Sequence, residues 1–140
     1  MGFFANLFGM GESKKSDINK EIDVMGAINA HVYWKIRLEK YVNGTSEENL
    51  DPEVICRDDQ CALGKWIYGP ALKHFHDDDE SFKSLRDDHA QFHVVAGRVV
   101  TRVQSNDKAG AEMLMKGEYM NASRKVVLAL TELSEHLTAP

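Results

Sequence analysis

The chain has 140 residues, with 17 Lys and Arg against 22 Asp and Glu, so its formal net charge is −5 with the six histidines counted as neutral. That length supports one core of ordinary size, and 43% apolar with 28% charged residues exclude a disordered, collagen-like or disulfide-scaffold chain. The acidity and the lack of any basic run beyond Lys14-Lys15 argue against a nucleic-acid partner. No stretch nears the roughly 18 apolar residues of a membrane span. The N-terminus also lacks the charged, apolar, small order of a signal peptide, so a cytoplasmic protein with no transmembrane segment is expected.

Residues 1–15 read as a tail: Phe3, Phe4, Leu7 and Phe8 share one face of a two-turn helix, and polar GMGESKK follows. A helical domain is expected over residues 16–140. Its first long helix opens near Ser16 and runs to Asn43-Gly44, a pair suited to a left-handed terminator. Ile18, Ile22, Met25, Val32 and Ile36, with Asn29 completing the series, recur at spacings of three and four; Val24, Ile28 and Leu38 widen the stripe, and His31 lies within that apolar face. After the loop TSEENLDPE, Asp51-Pro52 predicts a capped short helix leading to CALGKWIYGP, which is expected to end at Gly69-Pro70.

The third element is the clearest, because Phe82, Leu85, His89, Phe92, Ala96, Val99 and Val103 alternate by three and four without exception. A break near residues 105–107 precedes a last helix with Met113, Gly117, Met120, Val127, Leu130 and Leu137 on one side. With no period-two segment to suggest a strand, the expected fold is all-α. It is an antiparallel helix bundle of the four-helix type, with a short helix carrying Cys61 and a short tail helix.

His89 and His93 stand in HAQFH, where a spacing of four puts both imidazoles on one helix face within reach of a single metal. His89 is also a seam residue, and a buried imidazole must find partners for its nitrogens. His31 on the first helix and Cys61 in the middle section complete three imidazoles and one thiolate, the donor set of a closed tetrahedral zinc site. The competing reading makes His31 and His89 ordinary core histidines and Cys61 a small buried hydrophobe.

The string CALGKWIYG, with His31 thirty positions before Cys61 in AHVYWKIRL and HAQFH beginning twenty-eight after it, resembles the chemoreceptor zinc-binding (CZB) domain family. The likeness covers residues 17–137. It implies a helical bundle, often dimeric, in which His31, Cys61, His89 and His93 hold Zn2+. It also implies a regulatory module whose input is oxidant or zinc and whose output passes to a chemoreceptor or a cyclic-di-GMP pathway such as a diguanylate cyclase. On that reading Cys61 is the redox-sensitive residue, because a zinc-bound thiolate is the form that attacks hypochlorous acid or peroxide. Gly64 would admit a neighbouring helix, and Trp66, Ile67 and Tyr68 would anchor the segment. Asp88, Asp87 and Asn29 are the candidates to hold the ligands' second ring nitrogens. Relatives are fused to a receptor or cyclase, for which 140 residues leave no room, so a homodimer surface, the aromatic tail or a separate protein is the expected output.

Two other classes compete. A di-iron oxygen carrier of the hemerythrin type would need His74, His76 and His136 to join the set, yet Lys35 stands four after His31, where a bridging carboxylate belongs. A purely structural role would have zinc staple a dimerisation or adaptor module with no switching. No enzyme is expected, since four protein ligands leave zinc no open position and neither a nucleophilic triad nor a phosphate loop is present. Cys56, five residues before Cys61, reads as an inert buried thiol rather than a disulfide partner.

Overall fold

Every regular element among the described residues, which in this computed structural model are 24–75 and 79–138, is a helix. The tail and the opening of the first helix, residues 16–23, lie outside them, as do His76 and the side chains of His136 and Leu137. None of the described helices is long and apolar enough to cross a membrane.

Helix α1 (Val24–Asn43) stops at the expected terminator: Gly44 takes φ +79°, and the N–H groups of Gly44 and Thr45 return to the carbonyls of Tyr41 and Lys40 at 3.2 and 2.9 Å. Asp51 caps α2 (Pro52–Ile55) by accepting from the Glu53 N–H at 2.9 Å, and Pro52 occupies the first turn. Cys61 caps α3 (Ala62–Trp66) in the same way, its sulfur accepting from the Gly64 N–H at 3.4 Å.

The helix breaks at Gly69-Pro70 as expected: Gly69 leaves helical geometry at φ −112°, ψ −106°, and beyond this kink in Ile67–Ala71 the chain turns into the short α4 (Leu72–His74). Pro70 lacks an N–H, and its ring would strike the carbonyl four residues back in a regular helix; the kink at Gly69 absorbs both problems. Phe75 then stacks on Phe82 with centroids 5.1 Å apart, which docks this middle section on the bundle.

Helix α5 (Glu80–Gln104), capped by Asp79 on the Phe82 N–H at 3.0 Å, is the central element and packs against α1, α2, α6 (Lys108–Lys116) and α7 (Glu118–Thr138). Its seam is as expected: Phe82, Leu85, His89, Phe92, Ala96 and Val99 are all buried, with Val103 half-buried at the end. At about 25 cal/mol per Å² of apolar surface removed from water, burial of this row outweighs the weak intrinsic preferences of any one helix.

Two expectations need correcting. The row Met25, Val32 and Ile36 on α1 points outward, at 59%, 49% and 44% exposure, and of the expected face the core takes the side with His31, Ile28 and Leu38, joined by Val42 and half-buried Ala27, Trp34 and Tyr41. Both rows are apolar at helical spacing, and the one bearing the histidine fits the α5 seam. At the C-terminal end, Gly117 divides the expected helix into two and resets its phase. Met113 is therefore 76% exposed, while Ala111, Met115, Tyr119, Ala122, Val126, Ala129, Leu130 and Leu133 face the core.

Candidate metal centre

Three helical elements bring the chemistry to one point. His31 comes from the core face of α1, His89 and His93 from successive turns of α5, and Cys61 from the start of α3. One nitrogen or sulfur from each lies within 4.8 Å of the other three. Cys61 Sγ is 3.3 Å from His89 Nε2 and 3.5 Å from His93 Nε2, and the two Nε2 atoms are 3.1 Å apart. Tetrahedral zinc with bonds of about 2.0 Å to nitrogen and 2.3 Å to sulfur holds its donors roughly 3.3–3.6 Å from one another, so these separations suit that ion.

The hydrogen bonds explain which nitrogens are offered. His31 Nδ1 lies 2.8 Å from the Ala27 carbonyl one turn back on its own helix, and His93 Nδ1 lies 2.8 Å from the Ile55 carbonyl of α2. A carbonyl only accepts, so both rings carry their proton on Nδ1 and present an Nε2 lone pair to the cluster. His89 Nδ1 is buried with no partner among the described residues. Lone pairs on two imidazoles and a sulfur, facing one another at such distances away from water, repel unless a proton or a cation sits among them. The convergence of all four donors on one point is what separates a metal site from a set of ordinary core histidines.

Burial holds all three imidazoles below their ordinary pKa, furthest for His89, at about 3, where the neighbouring His93 and His31 add to the effect. The rings are therefore neutral at physiological pH, the state in which histidine binds a metal. Burial likewise pushes the Cys61 thiol up, against the opposing pull of the Gly64 and Leu63 N–H groups; a bound cation reverses that balance and leaves a thiolate.

The structure thus brings His31, Cys61, His89 and His93 together, and leaves the other proposed helpers elsewhere. Backbone carbonyls of Ala27 and Ile55 take the ring protons for which Asn29, Asp87 and Asp88 were the candidates. Gly64 admits no neighbouring helix. It is the Asp58 carbonyl, from the loop before α3, that lies where a side chain at Gly64 would begin. Trp66 and Ile67 are buried as anchors, but Tyr68 is exposed and donates from its hydroxyl to Asp58 at 2.5 Å, latching the same loop. Cys56 is exposed rather than buried, and both cysteines are free. His74 lies against Phe75 and is not part of the cluster, which is the only such donor group among the described residues.

The carbonyl partners and the Asp58 clasp are what residue types could not reveal. A main-chain acceptor has no side-chain signature, although the Asp51-Pro52 start of α2 was a usable clue that a short helix would be placed there. In comparisons with known proteins, the model of the family described as chemoreceptor zinc-binding domain matches residues 31–100, a stretch holding all four donors. No curated protein and no solved structure matches the chain.

Proposed function

Because the chain belongs to the chemoreceptor zinc-binding domain family, we propose that it is a cytoplasmic regulatory domain whose zinc is held by His31, Cys61, His89 and His93 and whose switch is the Cys61–zinc bond. The observation that carries this reading is the asymmetry of the donor set. Three donors are buried histidines on the long helices α1 and α5, whereas Cys61 is half-buried on a short segment joined to the bundle by loops. Loss of one bond then frees one small element and leaves the bundle standing.

As a zinc-bound thiolate, Cys61 attacks hypochlorous acid: the sulfur gains oxygen and is oxidised to the sulfenic acid, and the reduced chlorine leaves as chloride. The product is a poorer metal ligand, so the segment from Arg57 to Phe75 loosens. Zinc scarcity reaches the same loosened state by emptying the site, since binding energy at such a site is also ordering energy. The partner that reads this state is proposed to be a chemoreceptor or a diguanylate cyclase pathway component. The test is hydrogen exchange on the zinc-loaded protein before and after one equivalent of hypochlorous acid. Protection should fall over residues 57–75 and persist in α5 and α7; unchanged protection around Cys61 leaves zinc as a structural staple and sinks the switch.

A homodimer belongs to the same proposal, and the outward row of α1 supports it. Met25, Asn29, Val32 and Ile36 form a heptad-like series of steps four, three and four, Tyr33 is exposed beside it, and Ile18 and Ile22 continue the register in the sequence. Large apolar residues aligned on one exposed face mark an interaction surface, and a self-complementary seam suits a second copy. Light scattering should give twice the chain mass for the parent and a monomer for the double variant Val32→Glu, Ile36→Glu. A monomeric parent removes the dimer from the proposal.

A further inference from the structure

We infer that Gly97 and the short helix α2 are positioning elements of the metal centre, holding His93 by its second nitrogen; the inference rests on the zinc reading and specifies how the site is supported. The carbonyls of α2 show how this works. The Asp51 carbonyl accepts from the Val54 and Ile55 N–H groups, that of Pro52 from the Cys56 N–H, that of Glu53 from the Cys56 thiol, and that of Val54 from the Arg57 N–H. The helix ends there, and the Ile55 carbonyl turns instead to His93 Nδ1 at 2.8 Å. Four residues of helix are enough to aim one carbonyl, because Asp51 and Pro52 fix its start and buried Ile55 anchors its end.

How close α2 comes to α5 is decided at Gly97, one helical turn beyond His93. A Cβ at Gly97 would lie 3.0 Å from Cys56 Cβ and 3.3 Å from the Pro52 carbonyl oxygen. Any side chain there pushes α2 outward by a few tenths of an ångström and takes the Ile55 carbonyl with it. The hydrogen bond that sets the tautomer and tilt of His93 lengthens, and Nε2 is no longer aimed at the other donors. Partners of this kind commonly change metal affinity about 10- to 100-fold without touching the metal. The same chain segment thus reaches the centre twice, directly through Cys61 Sγ and indirectly through Ile55, with the loop Arg57 to Gln60, latched by Tyr68 at Asp58, between the two.

The experiment compares the parent, Gly97→Ala and the double variant Gly97→Ala, Cys56→Gly by chelator competition for zinc, with imidazole ¹⁵N spectra of each zinc-free protein. Gly97→Ala should bind zinc about tenfold more weakly. Moving the methylene to the other side of the contact by also introducing Cys56→Gly should restore affinity to within about threefold of the parent, as coupled neighbours do. In the zinc-free parent, where no metal bond fixes the tautomer, His93 should be protonated on Nδ1 by the Ile55 carbonyl alone, a signature that a merely space-filling role for α2 does not require. If Gly97→Ala fails to fold, the parent spectrum still decides, and a proton on Nε2 overturns the inference. Equal affinities in loaded parent and variant, or no recovery in the double variant, overturn the positioning role alone. A parent that binds no zinc overturns the zinc reading itself.

Discussion

Replacing His89 with alanine is expected to weaken zinc binding by about a hundredfold or more while leaving the zinc-free bundle folded. The ring lies at the centre of the cluster, 3.3 Å from Cys61 Sγ and 3.1 Å from His93 Nε2. A structural zinc contributes roughly 10–16 kcal/mol, so one ligand in four accounts for about 3 kcal/mol, which corresponds to at least two orders of magnitude in affinity. The zinc-free protein should be affected less. Truncation leaves a small cavity, but it also removes a buried Nδ1 that has no partner among the described residues, and the two changes act in opposite directions. Phe92, Val95, Ala96, Val99 and Val100 on the same helix remain buried and continue to hold α5 in the core. The measurement is the melting temperature of parent and variant, each with zinc and with chelator. The parent should lose stability on chelation, and the variant should show almost no difference between the two conditions. If chelator leaves the parent unchanged and His89→Ala destabilises both forms equally, the histidines are ordinary core residues and the metal reading fails.

How far this could be read from sequence follows from where the signals reside. The seam of α5 was plain because seven consecutive positions obey one period and no rival row on that helix is apolar. On α1 two rows compete, Met25–Val32–Ile36 and His31–Leu38–Val42, and periodicity alone cannot say which one meets the bundle and which faces outward. The HAQFH pair announces two donors, but bringing His31 and Cys61 to them requires the packing of three elements, which spacing along the chain does not encode. The resemblance to a known family bridged that gap. Gly69-Pro70 has the composition of a helix end, and the helix does break there, at the non-helical Gly69, before one short turn follows. Ile55 and Asp58 contribute through main-chain oxygens, which any residue type would supply, so their part was visible only in three dimensions.

Gly64→Ala should be the most damaging substitution in the Cys61 segment that removes no ligand. The methyl group it adds falls on the Asp58 carbonyl oxygen, with the Asp58 carbonyl carbon and Asp59 Cα close behind. These are backbone atoms and cannot rotate away as the end of a flexible side chain would. Either the loop from Arg57 to Gln60 lifts off, breaking the Tyr68–Asp58 hydrogen bond, or α3 withdraws and takes Cys61 with it. Each route separates Cys61 from the histidines, and overpacking of this kind costs roughly 1–3 kcal/mol or more. The Gly64 N–H that supports the Cys61 sulfur is displaced in the same movement. Zinc affinity should therefore fall, and hydrogen exchange should accelerate over residues 57–68 even before any oxidant is added, while α5 and α7 keep their protection. The variant would resemble the oxidised parent, because both detach the same element from the same centre by different means. Lys65→Ala, one residue further along and exposed, is the matched control and should change neither quantity. Were Gly64→Ala to retain parental zinc affinity and parental exchange over 57–68, the clasp formed by Asp58, Gly64 and Tyr68 would have no part in holding Cys61 at the metal.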